Sequence, residues 1–420
     1  MRQQLALGLG VAALVLLAGC HLLVSTDDLV VASADGGADG GADGADGGVA
    51  LDAAGLVGTS AVELDGGVVM SNRVVEVAFD CGQGCVPADI RIRAASNQNL
   101  LYRGDAKPEY LAGISYFDHA YNRESSVSAR SLTGRGPIAQ LEVSWGTVGL
   151  TGTSTYTLHP DGRLHRNEEV QVTSTFAGSQ DFLLAFVTID ATRVSAMSHV
   201  VGGAQTSNLK TGRDFEFHWD DDGLGYLCVL DSAGKDGVGW AQRDTAAAGP
   251  DGMRLWEVGS PSHSFLLASD WVRDAPVPVR TYSGQFLTTF ASSGDCMELE
   301  AQVVAFTDPL QLGISEAVVT GQAGDGDGDG YNEGGGYYEL RLPSSKVIAV
   351  TPASGSRQPT SSFRVQAVPA ASPSPKITLG EEELSEGRDY LAGAPDGSGV
   401  AWLHLARPWS AQVLLKIDWR

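Results

Sequence analysis

Residues 141–172 read LEVSWGTVGLTGTSTYTLHPDGRLHRNEEVQV. Leu141, Val143 and Trp145 alternate with Glu142 and Ser144, the period of a strand with one buried and one wet face. The run at 155–158 then stops at His159-Pro160-Asp161-Gly162. Proline presets the turn and Asp-Gly tightens it, so a hairpin is expected there. Beyond it, Glu168 and Glu169 are adjacent on a strand. They point to opposite faces and cannot act together as a carboxylate dyad.

The same period recurs outward in both directions. It is read at 75–79, 215–219, 297–303, 363–367 and 413–419. Residues 182–189 (FLLAFVTI) are apolar on both faces and read as a central strand. Turn signals separate these runs at 221–223, 249–252 and 396–399. No amphipathic helix of three turns is read anywhere. The expected fold is all-β: a large β-sandwich or supersandwich-like domain over 70–310, then a smaller Ig-like β-sandwich over 312–420. The boundary falls near the Gly/Asp stretch that begins at Gly321.

Residues 1–20 read MRQQLALGLGVAALVLLAGC. Arg2 precedes an apolar run that is too short to cross a bilayer and has the length of a signal-peptide core. The closing Leu17-Ala18-Gly19-Cys20 resembles the lipobox of bacterial lipoproteins. That resemblance implies a signal peptide at 1–19, cleavage before Cys20 and acylation of Cys20, palmitate being a typical chain. Several acyl chains anchor stably where one does not. His21 stands where Asp often marks inner-membrane retention in that family, which favours the outer membrane. Residues 33–50 (SADGGADGGADGADGGVA) offer almost nothing to bury. The segment 20–57 is therefore expected to be a disordered tether behind the lipid.

The chain carries 28 Lys and Arg against 51 Asp and Glu, a net charge of −23. Such a balance excludes general nucleic-acid binding, whose main affinity comes from cations on phosphates. With Cys20 lipidated, Cys81, Cys85, Cys228 and Cys296 remain, an even number in an oxidising compartment. Of three possible pairings, Cys81–Cys85 with Cys228–Cys296 is preferred, because the two glycines in Cys81-Gly82-Gln83-Gly84-Cys85 let that pair close across a hairpin tip.

One constellation carries metal chemistry. Residues 325–333 read DGDGDGYNE. Asp325, Asp327 and Asp329 alternate with glycine, and Tyr331 and Glu333 follow. Closely spaced oxygens on a flexible loop suit calcium, so these five residues form a candidate calcium set. Gly336 stands where an EF-hand needs its bidentate Glu, so the loop is no EF-hand. The alternative is a solvated acidic linker. The wider DGDGDGYNEGGGYYEL resembles acidic loops of secreted polysaccharide-acting proteins, and KITLGEEELSEGRDYL (376–391) resembles the edge of their β-sandwich modules. The segment 141–189 is similar to long hairpins of supersandwich domains in carbohydrate-active proteins. These likenesses imply architecture and a glycan-handling context, not a reaction.

No HExxH, GxSxG, P-loop or dinucleotide fingerprint is present. Phe217-His218-Trp219-Asp220-Asp221-Asp222 and 116–123 group His, aromatic and acidic residues, but read more simply as an acidic turn and a loop. The expected function is therefore a lipid-anchored envelope protein that binds glycan or another envelope component without catalysis. The alternative is a polysaccharide lyase or glycoside hydrolase-like enzyme with its site on the large domain. A cleft gathering His, Tyr, Arg and carboxylates would favour the enzyme; an open face would favour binding.

Overall fold

A computed structural model describes residues 55–93, 95–101, 299–313 and 315–419, and between 113 and 291 chiefly the strands named below. The expected signal peptide, Cys20 and most of the expected tether lie outside the described residues. The chain is all-β and sandwich-like, as the alternation predicts.

The longest sheet has nine strands. Their order is Ala204–Ser207, Val194–Val201, Gly225–Asp231, Gly237–Arg243, Thr281–Ala291, Leu164–Val172, Leu150–Leu158, Ala139–Thr147 and Ser126–Thr133. The hairpin read at 159–162 joins two of its central strands, with Leu158 opposite Leu164. Gly162 makes that turn possible. Its φ is +92°, and a Cβ there would lie 2.7 Å from Val74 Cγ1.

A five-stranded cover sheet packs on one face of the long sheet. It contains Thr59–Leu64, Gly67–Ser71, Val75–Asp80 and Val86–Ile92, with Arg135–Gly136 at its edge. Met70, Val77 and Ile92 from the cover sheet meet Leu141, Val143, Tyr156, Trp240 and Phe286 from the long sheet in one apolar core. Among the described residues, strands thus begin at Thr59, ahead of the residue-70 start of the sequence reading. The first strand is mostly exposed, so its residues carry little apolar period to read.

A six-stranded sheet contains Gln180–Asp190 between Gly113–Tyr116 and Ser264–Ala275. The apolar run 182–189 therefore has a strand on each side, as its two apolar faces predict. Residues 310–419 build a second sandwich from a five-stranded and a four-stranded sheet around Tyr338, Phe363, Trp409 and Ile417. Contacts group residues 47–420 into one compact unit. Ile138, Tyr337 and Trp402 form a small apolar cluster where the two sandwiches meet.

One expected strand is a helix. Residues 297–303 alternate, yet Glu300–Thr307 is α-helical. Leu299 and Val303 are four apart, a spacing that satisfies both periods. Phe306 settles the choice: positions 299, 303 and 306 share one helical face, buried on Cys228, Ala241 and Leu287. This helix lies on the face of the long sheet opposite the cover sheet.

Candidate functional site

The strand Leu164–Val172 organises the candidate site. Its inward residues Leu164, Arg166, Glu168, Val170 and Val172 are all buried beneath the cover sheet. Its outward residues are uncovered step by step. His165 is buried, Asn167 half-buried, and Glu169 and Gln171 exposed. The helix covers the first, with Phe306 and His165 ring centroids 5.5 Å apart. The loop before Tyr337 covers the second, where a Cβ on Gly334 would fall 2.6 Å from Asn167 Cβ.

Past that loop the outer face opens into a shallow trough of about 820 Å³. Register lays its side chains in rows. Glu169 stands between Ser283 and Thr153, and Thr153 stands opposite Ser144. In the next row, Gln171 stands between Thr281 and Thr151, followed by Gly146 and Ser126. Thr281 Oγ1 donates to Gln171 Oε1 at 3.0 Å, and Ser128 Oγ donates to the Ser144 carbonyl at 3.1 Å. Gly146 leaves a gap in its row. A Cβ there would meet nothing closer than Thr151 Cγ2 at 3.5 Å, an ordinary contact. Among the described residues, the Glu169 carboxylate has no hydrogen bond or ion pair.

The acidic loop stands at the end of this face. Arg243 lies opposite Gln285, and Gln285 opposite Asn167, one row from Glu169. Arg243 Nη2 donates to Asp327 Oδ2 at 2.8 Å, and Nη1 lies 2.7 Å from Glu333 Oε1. Inside the loop, Asp325 accepts from the amides of Gly321 and Gly328, each at 2.7 Å, and Asp329 Oδ1 from that of Tyr331 at 2.7 Å. One oxygen from each of Asp325, Asp327 and Asp329 falls within 4.8 Å of the others. Asp329 Oδ2 is buried without a hydrogen-bond partner. Burial pushes the Asp329 carboxyl up to about 6, and the neighbouring Asp327 charge adds to the rise.

Three of the five residues read as a calcium set are therefore brought together. Glu333 turns away: it is buried, faces Arg243, and its Oε2 accepts from Gly326 N at 3.0 Å. Burial outweighs Arg243 and raises its carboxyl to about 7. Tyr331, whose backbone carbonyl is the oxygen expected from it, stands in a strand pair with Tyr338, its side chain buried and its hydroxyl unpartnered. Three carboxylates with an orphaned oxygen fit a hard cation in donor type, with fewer protein ligands than calcium's six to eight oxygens.

A second polar cluster is sealed inside the seam between the sandwiches. His159, His165, Ser362 and His404 are all at most 1% exposed. His159 Nε2 lies 2.9 Å from the Gly335 carbonyl, and a carbonyl only accepts, so Nε2 carries the proton. His159 Nδ1 then accepts from Ser362 Oγ at 2.8 Å, and Ser362 Oγ accepts from His404 Nδ1 at 3.0 Å. His165 Nδ1 donates to the Glu333 carbonyl at 3.2 Å. Burial holds His165 down at about 3 and His404 at about 4, and lowers His159 as well, with Arg163 adding to each shift. Arg163 itself is paired with Asp161 and donates to Thr360 Oγ1 at 2.9 Å. Histidine and serine meet here, but water and substrate do not reach them. The sequence gives no local signal for this cluster, because its members come from residues about two hundred positions apart.

Cys81 and Cys85 form a disulfide, as their spacing predicts. Cys228 is disulfide-bonded as well, while Cys296 lies outside the described residues. The strands Glu216–Trp219, Gly113–Tyr116 and His119–Ala120 carry the backbone of part of the two aromatic and acidic groups at 217–222 and 116–123; the rest of those groups lies outside the described residues.

No family model and no curated protein matches this chain. Solved structures that resemble it include a TPR-domain-containing protein of Parabacteroides distasonis, with 11% identity and TM-score 0.37, matched over 53% of this chain and 47% of that one. Another is the galactose 1-epimerase of Lactobacillus acidophilus, with 9% identity and TM-score 0.37, over 57% and 99%. A third is a YidC insertase structure, with 9% identity and TM-score 0.32, over 60% and 43%. The chain thus spans about half the length of the Parabacteroides protein. These similarities are too distant to assign a function.

Proposed function

We propose that this protein is a lipid-anchored envelope protein whose trough on the long sheet binds glycan without catalysis. The observation that carries this reading is the trough itself. Its rows of Ser, Thr and Gln side chains on a rigid strand floor match the hydroxyl-rich face of a sugar chain. Glycoside hydrolysis generally uses two carboxyl groups across the scissile bond. Glu169 is the one carboxylate lining the trough among the described residues. The open form and that single acid favour binding over turnover.

Gly146→Phe tests the reading. The Cβ fits, and the ring fills the gap in the row without removing a hydrogen bond. On a glycan array the full-length chain should bind a class of oligosaccharides that the variant does not, with both melting alike. A wild type that binds no glycan, or a variant that binds equally well, overturns it. Time-dependent shortening of a bound oligosaccharide would turn the reading to the enzyme.

The anchor is proposed from Leu17-Ala18-Gly19-Cys20. Cys20→Ser should leave an uncut precursor, seen as a larger band in a membrane fractionation. Normal processing of the variant would remove the lipoprotein reading. The loop Asp325, Asp327 and Asp329 is proposed to take calcium, on the buried and unpartnered Asp329 Oδ2.

A further inference from the structure

Glu169 is a free charge on a neutral floor. The residues beside it in register carry hydroxyls: Thr153, which lines the trough, and Ser283 flank it across the sheet, and Ser144, also in the lining, lies beyond Thr153. Strand neighbours lie about 4.8 Å apart and alternate residues of one strand about 6.8 Å apart, so the trough repeats on the scale of one sugar ring. Among the described residues, Arg243 stands one row away on this face and is already held by Asp327 and Glu333. Glu142, exposed on the same outer face, adds a second negative charge. The whole chain carries −23.

We infer that Glu169 sets the ligand class, selecting glycans that bear free amino groups over acetylated or acidic ones. This rests on the trough being the glycan site. An ammonium group placed over Glu169 gains a charge-assisted contact, while ring hydroxyls on either side reach Thr153, Ser144 and Thr151. An acetylated nitrogen keeps the hydroxyl contacts and loses the charge. A uronate meets like charge from Glu169 and Glu142, so the same floor rejects it. Glu169 is thus a specificity residue, and its exposure makes it free to be changed without disturbing the core.

The experiment compares oligomers of glucosamine, N-acetylglucosamine and glucuronate of equal length, bound to the full-length chain in detergent at pH 6 and low salt. Glucosamine oligomers should bind about two- to fivefold tighter than acetylated ones, the range an exposed ion pair reaches. Glucuronate oligomers should bind least. Glu169→Gln should erase the preference, so that the amine and acetylated oligomers bind the variant with the same affinity, and added salt should mimic it. A preference that survives Glu169→Gln, or a wild type that binds all three equally, overturns the inference. The trough reading then still stands if Gly146→Phe abolishes binding. Binding of none of the three by the wild type overturns the inference at once, and the glycan array then decides the trough reading separately.

Discussion

Arg166 and Glu168 show what a single strand position costs and contributes. Both point into the core between the long sheet and the cover sheet, and both are almost fully buried. Each exists as an ion there only because the other does: the guanidinium Nε bonds one carboxylate oxygen, and Ser154 Oγ donates to the other at 2.7 Å. Trp145 Nε1 donates to Ser154 Oγ at 3.0 Å, so an indole on the next strand is tied into the same chain. Gly152 makes room for that indole, since a Cβ there would fall 2.3 Å from Trp145 Cζ2. Burial raises the Glu168 carboxyl despite Arg166. Arg166→Met therefore leaves a buried acid without its cation and should cost about 3–5 kcal/mol, read by chemical denaturation at pH 7. Adding Glu168→Leu should recover most of the loss. At pH 5 the single variant's deficit should shrink, because the orphaned carboxyl takes a proton. A single variant as stable as wild type would show that the pair does not matter to the fold. The sequence shows Glu168 and Glu169 on opposite faces correctly, but it does not show that the inward face is the charged one, because the cover sheet that buries Glu168 comes from residues 59–92.

Strands were legible wherever one face is apolar and the other polar, because that pattern is the physical condition for half-burial. The hairpin at 159–162 was legible because Pro and Asp-Gly constrain it locally. The helix Glu300–Thr307 was not, because a four-residue spacing fits either period and only the neighbouring sheet decides. The acidic loop shows a third case. Its three aspartates meet because alternating glycines, two of them at positive φ, fold the backbone around them, whereas Glu333 is claimed by Arg243 from the long sheet. That partner has no sequence signal near the loop. The loop's stability should respond to calcium. A ligand that binds only the folded form stabilises by about 2.7 kcal/mol at ~100-fold over its Kd. Melting should rise in millimolar calcium over chelator, and Asp325→Asn with Asp329→Asn should remove most of the difference while leaving the Arg243 pairs intact. Equal melting of the wild type in calcium and chelator would make the loop a solvated rim of the trough.

The seam between the sandwiches holds three neutral histidines. His159, His165 and His404 share it with Arg163, Asp161, Thr360 and Ser362, and the backbone carbonyls of Glu333 and Gly335 close it. The two sandwiches are therefore joined by a network that requires uncharged imidazole. An unfolded histidine titrates near 6.5, while His404 and His165 in the fold titrate at about 4 and about 3. Between these values the unfolded chain binds more protons than the folded one, so stability rises with pH across the window and is fully present above about 6.5. It falls as pH drops from 6.5 toward 4. Asp161 is held low by Arg163, against the cost of its burial, so its contribution is lost only further into acid. The raised carboxyls of Asp329 and Glu333 act in the opposite sense over part of this range. Comparing wild type with a histidine variant cancels them. His165→Phe removes one imidazole whose Nε2 is already unpartnered and keeps a ring against Phe306. Denaturation at pH 7, 6, 5 and 4 should show a shallower acid loss in His165→Phe than in wild type, each measured from its own stability at pH 7, where the variant already lacks the bond to the Glu333 carbonyl. Parallel curves would mean that His165 is not the group through which acid loosens the seam, and the trough, built on the same strand, would then hold its shape independently of it.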